Sequence, residues 1–323
     1  MPNRIVIPGG SGRVGQLLAL HFHERGLEVT VLSRHAASSP WRTVVWNGRE
    51  LGEWAREIDG ADVVINLAGR SVDCRYTEAH RREIMDSRVA STRVVGRAIA
   101  GAAHPPKLWM NASTATIYRH SLDRPMDEAT GELGGEEPDA PATWAFSIDV
   151  ATSWERAFSE ADVKGTRKIA LRSAIVMSAA RRGYFAKLAN LMRWGLGGRA
   201  GSGAQFMSWI HEADFVRAVE FLIEREDLDG CVNISSPNPL PYRDFMRVLR
   251  GEYGMPLAPP ITGWMLKIGA ILLRTETELI LKSRRVIPGR LLDAGFKFLY
   301  PEWPDAAKDL VRRWRWAETE PLV

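Results

Sequence analysis

The sequence predicts an α/β fold with a doubly wound parallel sheet and a smaller mixed α/β C-terminal lobe. Over the first 176 residues, short apolar strands alternate with helical segments, which is typical of parallel sheets covered by helices. Beyond residue 176, helices are separated by glycine turns and proline-containing loops. We therefore predict a first domain over 1–176 and about 207–236, and a substrate lobe over about 177–206 and 237–323.

The first β-α-β unit covers residues 4–34 and contains a glycine-rich turn. Gly9, Gly12 and Gly15 have the spacing G-x-x-G-x-x-G, while Gly10, Gly12 and Gly15 have the spacing G-x-G-x-x-G. The spacing therefore leaves the subtype of the motif open. Such a turn brings the backbone close to a pyrophosphate, which then faces the amides of the next helix. In this context the motif predicts a Rossmann dinucleotide site rather than a simple turn.

The second strand of this unit ends without a carboxylate. NAD-specific folds place Asp or Glu there to bind the ribose 2′-hydroxyl, whereas this chain has Ser33 followed by Arg34. A guanidinium is well suited to a phosphate dianion. We predict NADP(H) as the preferred cofactor and NAD(H) as the alternative; the competing interpretation is that Arg34 is a solvated surface cation.

The remaining predicted elements continue the alternation of strand and helix. They are strands at 43–46, 62–67, 107–112 and 166–176, and helices at 53–59, about 78–103 and about 143–161. Pro105 and Pro106 stop the long helix. Residues 232–234 are a candidate for an additional strand of the sheet.

Composition and charge narrow the classes of partner. The formal net charge of +4 is small and scattered, and no recognised module accompanies it, so we expect no nucleic-acid partner. No apolar run is long enough to span a bilayer, so we expect no membrane partner and a cytoplasmic location. Cys74 and Cys231 lie far apart without metal-ligand spacing, which predicts neither a disulfide nor a metal site.

Several short motifs follow one another in a fixed order. They are GGSGRVG (9–15), NLAG (66–69), SRV (87–89), NASTATIY (111–118), LRS (171–173), QFMSWIH (205–211), NISSP (233–237), SRRVIP (283–288) and GFKF (295–298). In this order they resemble the extended or atypical short-chain dehydrogenase/reductases. Within that group they are similar to the sugar-nucleotide-epimerase-like subfamily that carries a C-terminal domain of unknown function.

The resemblance implies a set of cofactor-binding residues. They are Gly9, Ser11, Gly12, Arg13, Val14 and Gly15 at the pyrophosphate, Ser33 and Arg34 at the 2′-phosphate, Leu67, Ala68 and Gly69 along the adenine-side ribose, Asn111, Ala112 and Ser113 toward the nicotinamide, and Arg88 in the same site. Thr114 matches the Ser or Thr that hydrogen-bonds the reacting oxygen in active relatives. A hydroxyl donor there would stabilise charge on a carbonyl oxygen.

The chain departs from active relatives at the general acid. Those relatives carry Tyr-x-x-x-Lys on the following helix, where this chain has Phe146 and Val150. Neither side chain exchanges a proton. Members of the resembling subfamily also lack the pair, so catalysis is weak or absent unless another group replaces it.

Several residues are candidates for that replacement. Tyr118 is the first candidate, and its competing interpretation is a structural role in shaping the pocket. His120 is the second, and its competing interpretation is a solvated histidine in a loop. His211 with Asp214 resembles an oriented imidazole, but the spacing also suits helix capping. Asp149 and Cys74 are also possible proton donors, but nothing else in the sequence supports either.

Two functions from different classes remain. The first is an NADP(H)-dependent oxidoreductase or epimerase acting on a small polar or nucleotide-sugar-like substrate. The second is a non-catalytic NADPH-binding regulatory or scaffold protein. Relatives often pair through the helices at 78–103 and 143–161, so the chain is a monomer or a homodimer. Candidate substrate contacts are Arg172, Tyr184, Arg193, Trp209 and Trp264.

Overall fold

The computed structural model describes residues 2–137, 141–195, 197–198, 200–255 and 281–319. Its strands are β1 (Arg4–Pro8), β2 (Glu28–Ser33), β3 (Arg42–Val45), β4 (Val63–Asn66), β5 (Leu108–Thr114), β6 (Arg167–Ser173), β7 (Ile175–Met177), β8 (Phe206–Met207), β9 (Trp209–His211), β10 (Gly230–Ile234) and β11 (Leu240–Pro241). Its helices are α1 (Arg13–Glu24), α2 (Glu78–Ala100), α3 (Ala142–Ser159), α4 (Tyr184–Arg193), α5 (Glu212–Glu224), α6 (Tyr242–Glu252), α7 (Gly289–Asp293) and α8 (Trp303–Thr319). Short 3₁₀ helices cover Glu53–Glu57 and Ala115–Ile117.

Seven strands form one sheet in the order β10-β6-β5-β4-β1-β2-β3. The chain runs outward from β1 to β3 and then returns to β4 on the other side of β1. This reversal places the carboxyl ends of β1 and β4 side by side, where doubly wound sheets bind their ligands. The predicted fold class is therefore confirmed, and the candidate strand at 232–234 lies in β10 at the edge of the sheet.

The strands next to the switch point are apolar on both faces. Ile5, Val6 and Ile7 in β1 and Val64 and Ile65 in β4 have no solvent exposure. Unalternating burial of this kind requires helices on both sides of the sheet. One hydrophobic cluster joins Val6 and Val64 to α2, in which Val94 and Val95 are buried.

Two predicted elements differ from the structure by more than one or two residues at an end. The long helix begins at Glu78, capped by the Thr77 hydroxyl, but ends at Ala100 rather than at 103 because Gly101 follows it. The predicted strand at 166–176 is two strands, since the chain leaves the large sheet at Ala174. Its second part, β7, pairs with β9 in a separate two-stranded sheet.

The chain divides into two compact units. Unit 1 comprises residues 1–117, 146–172 and 216–232, and unit 2 comprises 118–145, 173–215 and 233–323. The sequence assigned 118–145 to the first domain. In the structure this segment is part of unit 2, because Met126 bridges to Val286 and the Tyr118 hydroxyl donates to Asn233.

Unit 2 has its own core of aromatic side chains. Trp303 on α8 packs edge-on against Trp209, with ring centroids 5.0 Å apart, and stacks on Phe245 of α6 at 3.9 Å. Among the described residues, no helix is long and apolar enough to cross a bilayer. The same residues contain no cluster of three or more His, Cys, Asp or Glu side chains suited to a metal ion.

Candidate cofactor and active site

Three of the glycines at the turn after β1 have no room for a side chain. Gly9 has φ +77°, and a Cβ built on it would lie 2.6 Å from the Cα of Ala68. A Cβ on Gly15 would lie 2.4 Å from the Cα of Gly10, and one on Gly10 would lie 2.8 Å from Val31. The first spacing, G-x-x-G-x-x-G, therefore begins at the residue with left-handed backbone, while Gly10 is required for packing.

Gly12 has another reason to be glycine. Its φ is −70°, and its added Cβ would have only the carbonyl oxygen of Gly9 as a near neighbour, at 3.3 Å. Gly12 is exposed and is the N-cap of α1, whose first turn contains no acidic residue. The first turn, which includes Arg13 and Val14, is thus a helix N-terminus of the kind that attracts an anion.

The end of β2 lies beside this turn. The hydroxyl of buried Ser33 donates to the hydroxyl of Ser11 over 3.1 Å, and it accepts from the amide of His35. Arg34 is exposed and lines a surface cavity of about 560 Å³ together with Trp46. The strand end thus presents hydroxyls and a guanidinium, while Glu50 and Glu53 line other parts of the same cavity.

A buried polar network supports the loop after β4. The Asn66 amide donates to Oδ1 of Asn111 over 2.7 Å, and Oδ1 of Asn66 accepts from the amide of Ala68 over 3.2 Å. Thr92 of α2 donates to Asn111 over 3.2 Å and accepts from the indole of Trp154 over 3.0 Å. These bonds hold Ala68 and its neighbours Leu67 and Gly69 against the glycine turn.

Arg88 is a half-buried cation next to that loop. A Cβ on Gly69 would lie 3.3 Å from its Cγ and Cζ. Its Nη1 donates to the carbonyl oxygen of Ile84 over 3.0 Å, and its Cζ lies 5.0 Å from the ring centroid of Trp154. Burial lowers the pKa of Arg88 to about 10, so the guanidinium stays charged at neutral pH. Within the described part of the chain, no carboxylate pairs with it.

Thr114 is the last residue of β5 and is half-buried. Its Oγ1 accepts from the amide of Thr116 over 3.2 Å, which fixes the oxygen and leaves the hydroxyl proton to donate. The preceding Ser113 donates to the carboxylate of Glu155 on α3. Thr114 is thus suited to hydrogen-bond a substrate oxygen, whereas the Ser113 hydroxyl is committed to Glu155.

Sequence reasoning missed Glu155. It binds Arg172 through two parallel hydrogen bonds of 2.8 Å, and both side chains are largely buried. Arg172 therefore binds within unit 1, although the sequence offered it as a substrate contact. The signal that could have found Glu155 was Arg172 itself, since a largely buried guanidinium at the end of a strand requires a partner such as a carboxylate.

At the positions aligned with the missing tyrosine and lysine, the structure places apolar side chains in apolar or aromatic contacts. Phe146 of α3 packs edge-on against Tyr76, with ring centroids 5.3 Å apart, and Arg81 lies 5.0 Å above its ring. Val150 is 6% exposed and belongs to the core. Neither position offers a proton.

Tyr118 is held within unit 2. Its side chain is 2% exposed, and its hydroxyl donates to Oδ1 of Asn233 over 2.9 Å. The Asn233 amide in turn donates to the carbonyl oxygen of Ile287. This chain of buried bonds favours the structural interpretation of Tyr118 over the catalytic one.

The histidine candidates are also engaged in structure. Nδ1 of His120 accepts from the amide of Ser283 over 3.1 Å, and its ring stacks on Trp144. Burial lowers the pKa of His120, and nearby Lys282 lowers it further. The imidazole is therefore neutral at physiological pH, and its Nδ1 acceptor is already used by the amide of Ser283.

His211 caps a helix, as one of its two sequence interpretations predicts. Its Nδ1 accepts from the amide of Ala213 in α5 over 3.1 Å, while its Nε2 faces Asp309 of α8 at 3.2 Å. Asp214 instead accepts from the amides of Leu299 and Tyr300. The two residues therefore do not form the oriented pair that the sequence also suggested.

Of the remaining substrate candidates, Trp209 has no solvent exposure and is a core residue, so its assignment to a substrate pocket is wrong. Tyr184 and Arg193 begin and end α4 in unit 2. Trp264 lies outside the described residues. An aromatic residue in a loop-rich segment carries no signal that separates a pocket wall from a core, which is why sequence reasoning misplaced Trp209.

Comparison with known proteins identifies the family of this chain and several related proteins. The model of the NAD dependent epimerase/dehydratase family matches residues 5–235, and that of a domain of unknown function, DUF1731, matches 261–310. The mouse epimerase family protein SDR39U1 is 29% identical over 313 residues, covering 95% of this chain and 99% of that one. These matches confirm the resemblance predicted from the ordered motifs.

Two solved structures are similar along nearly the whole chain. Human epimerase family protein SDR39U1 (isoform 2), solved with NADPH, has a TM-score of 0.83 and 27% identity and covers 96% of this chain and 99% of that one. A nucleoside-diphosphate sugar epimerase from Corynebacterium glutamicum has a TM-score of 0.74 and 26% identity. Its match covers 97% of this chain and 59% of that one.

Proposed function

We propose that this chain, which belongs to the NAD dependent epimerase/dehydratase family, is an NADP(H)-binding oxidoreductase or epimerase-like enzyme of a small polar or nucleotide-sugar-like substrate. One observation carries the proposal. The glycine turn admits no side chain at Gly9 or Gly15, and the strand end beside it presents Ser33 and Arg34 where a carboxylate would select NAD.

The chain's own residues fit a dinucleotide with a 2′-phosphate. We assign Gly9, Ser11, Gly12, Arg13, Val14 and Gly15 to the pyrophosphate, Ser33 and Arg34 to the 2′-phosphate, Leu67, Ala68 and Gly69 to the adenine-side ribose, and Arg88, Asn111, Ala112 and Ser113 to the nicotinamide half. The human relative solved with NADPH supports this preference, with NAD(H) as the weaker ligand.

The proposed chemistry is hydride transfer at a carbon that carries an oxygen. The nicotinamide, when bound, supplies or accepts the hydride at its C4 atom. Thr114 donates its hydroxyl proton in a hydrogen bond to the substrate oxygen and stabilises charge that develops there. The sugar-nucleotide substrate class is supported by the Corynebacterium glutamicum relative, which is named a nucleoside-diphosphate sugar epimerase.

One observation favours a second function. Phe146 and Val150 offer no proton, which is consistent with a non-catalytic protein that binds NADPH to stabilise a conformation or a partner surface. The two functions differ in one measurable property. Addition of carbonyl compounds to the NADPH complex oxidises the cofactor in an enzyme and leaves it reduced in a regulatory protein.

The experiment that tests the cofactor site is a titration of the apoprotein with NADPH and NADH. We expect tighter binding of NADPH and a loss of about tenfold or more in Arg34→Ala, because a hydrogen bond to a charged group contributes about 1.5–3 kcal/mol. Arg247→Ala is the matched control, since Arg247 is exposed on α6 and pairs with Asp244. Equal binding of both cofactors by the wild type would remove the 2′-phosphate assignment.

We also propose that the protein is a homodimer. A groove of about 700 Å³ runs along α2 and α3 of unit 1, and it is lined by small residues together with charges of both signs. These charges are Arg49, Arg93, Arg97, Asp86, Glu160 and Asp162, and charges of both signs are the kind of set that a second copy related by a two-fold axis can complement. Sedimentation of wild type and Arg93→Glu tests it: a dimer that dissociates in the variant supports the interface, and a monomeric wild type refutes it.

The cytoplasmic location stays a prediction.

A further inference from the structure

We propose that the Nε2–H group of His120 is a hydrogen-bond donor that binds an anionic oxygen of the substrate, from a phosphate or a carboxylate group. The inference rests on the proposed function, since it takes unit 2 as the lobe that holds the substrate. It gives His120 a role in binding rather than in proton transfer.

The hydrogen bond at Nδ1 determines which ring nitrogen of His120 carries the proton. A backbone amide can only donate, so the bond of 3.1 Å from the amide of Ser283 requires a lone pair on Nδ1. In the neutral imidazole the proton is then on Nε2. Protonation of Nδ1 would bring two N–H groups face to face. It would also leave the amide of Ser283, a residue with no solvent exposure, without an acceptor.

The surroundings of this bond are rigid. The Ser283 hydroxyl donates to the carbonyl oxygen of Ser121 and accepts from the amide of Phe206 over 2.8 Å. The carbonyl oxygen of Ser283 also accepts from the amide of Ser121 over 3.3 Å. The imidazole of His120 stacks on Trp144 at a centroid distance of 5.2 Å and an interplanar angle of 14°. These contacts fix the direction of the Nε2–H bond in advance, which lowers the entropy cost of binding a ligand.

The Nε2 atom of His120 is accessible to a ligand. The residue is half-buried. Within the described part of the chain Nε2 has no hydrogen-bond partner, and it is not one of the buried polar atoms that lack one, so it is in contact with solvent. A fixed donor that is open to solvent is the kind of polar group that orients a small ligand.

Positive charge surrounds this donor. Lys282 and Arg284 lie on either side of Ser283 in the chain and are 1% and 6% exposed. Burial lowers the pKa of His120, and three cations lower it further: Lys282, Arg119 and Arg284. The same charges that keep the imidazole neutral attract an anion to its N–H group.

The acidic groups near His120 do not cancel this charge. Glu137 favours protonation of the imidazole, but its carboxylate already accepts from the amides of His120 and Gly135. Arg119 belongs to a largely exposed group of two arginines and two acids, whose charges balance. The buried cations Lys282 and Arg284 therefore outnumber Glu137 around the imidazole.

The first test determines the tautomer of His120 from two-bond ¹H–¹⁵N correlation spectra of the apoprotein. The signals of this ring are assigned by their loss in His120→Asn. At pH 6, below the ordinary histidine pKa of about 6.5, we expect a proton on Nε2 and none on Nδ1. A proton on Nδ1 of the folded protein overturns the proposal.

The second test titrates the NADPH complex with pyrophosphate and, separately, with acetate. We expect a saturable shift of the Nε2 resonance of His120 and of the indole N–H resonance of Trp144. The anion that binds more tightly identifies the recognised group as a phosphate or a carboxylate.

One variant separates the donor from the structural bond. His120→Asn retains an acceptor for the amide of Ser283, because the asparagine Oδ1 lies near the position of Nδ1, but it has no donor at the position of Nε2. Binding of the preferred anion, followed at Trp144, should weaken about tenfold or more in this variant. His104→Asn is the control, since His104 is exposed in unit 1, and it should bind as the wild type does.

The outcomes are distinguishable. Equal affinities of wild type and His120→Asn, or the lack of a shift with either anion, overturn the proposal. Failure of the wild type to bind NADPH overturns the proposed function instead, and the same titrations of the apoprotein still decide whether His120 binds an anion.

Discussion

The side-chain amide of Asn66 donates a hydrogen bond of 2.7 Å to the side-chain carbonyl oxygen of Asn111, and both residues are essentially without solvent exposure. The bond joins the end of β4 to the middle of β5, and the loops that follow these two strands border the proposed cofactor site. Because Asn66 also accepts from the amide of Ala68, one residue fixes both the strand pair and the loop that faces the glycine turn.

Replacement of Asn66 by Ala should destabilise the protein by about 1–3 kcal/mol, because the amide of Ala68 loses a buried acceptor and Asn111 loses a donor. Urea denaturation followed by circular dichroism measures this change. Asn190→Ala is the control, since Asn190 is exposed on α4 and a surface change of this kind stays within about 0.5 kcal/mol. Equal stabilities of the two variants would show that the network contributes nothing.

Alanine at Gly15 and alanine at Gly12 should have different effects. Gly15→Ala places a Cβ 2.4 Å from the Cα of Gly10, so we expect a loss of stability of about 1–3 kcal/mol or more from overpacking. Gly12→Ala meets no atom closer than 3.3 Å and should leave stability nearly unchanged, yet it should weaken NADPH binding because its methyl group stands where the pyrophosphate approaches. Thermal unfolding and NADPH titration of both variants separate the two effects. Normal NADPH affinity in Gly12→Ala would contradict the assignment.

Loss of Arg172 should be costly. Arg172→Met leaves the carboxylate of Glu155 largely buried without its guanidinium, and removal of one partner of a buried pair costs about 3–5 kcal/mol. Arg225→Met is the matched control because its ion pair with Asp227 is at the surface, and such exposed pairs contribute little. The midpoint of urea unfolding is the measurement, and an equal shift in both variants would mean that the Glu155 pair is not buried in solution.

Acid should destabilise the protein partly through His211. Burial lowers the pKa of this imidazole, against the opposing effect of Glu212, Asp309 and Asp214 and with a further lowering by Arg313. The unfolded chain therefore takes up the proton first, near its ordinary pKa of about 6.5, and stability is lost as the pH falls through that value toward the lower pKa of the folded state.

This dependence can be measured with one variant and one control. His211→Asn should lose less stability than the wild type between pH 7 and pH 5, although it starts from a lower value because the cap on α5 is weakened. His23→Asn, at an exposed position in α1, should follow the wild-type profile. Parallel profiles for all three proteins would show that His211 is not neutral in the fold.

Local sequence was sufficient for the features that depend on neighbouring residues. The alternation of apolar strands and helices determined the doubly wound sheet, since only helices on both faces can cover strands that are buried on both sides. The glycine turn and the pair Ser33 and Arg34 likewise follow from backbone sterics and charge within one β-α-β unit. The absence of a proton at Phe146 and Val150 could also be read directly from the chain.

Tertiary structure decided the contacts between segments that are far apart in sequence. Tyr76 meets Phe146, Glu155 joins Ser113 to Arg172, and Tyr118 is fixed by Asn233; no periodicity in the chain encodes any of these pairs. The break at Ala174 was equally hidden, because one apolar run serves two sheets. Side-chain partners depend on how distant segments pack and desolvate one another, and that arrangement is a property of the whole fold rather than of any local pattern.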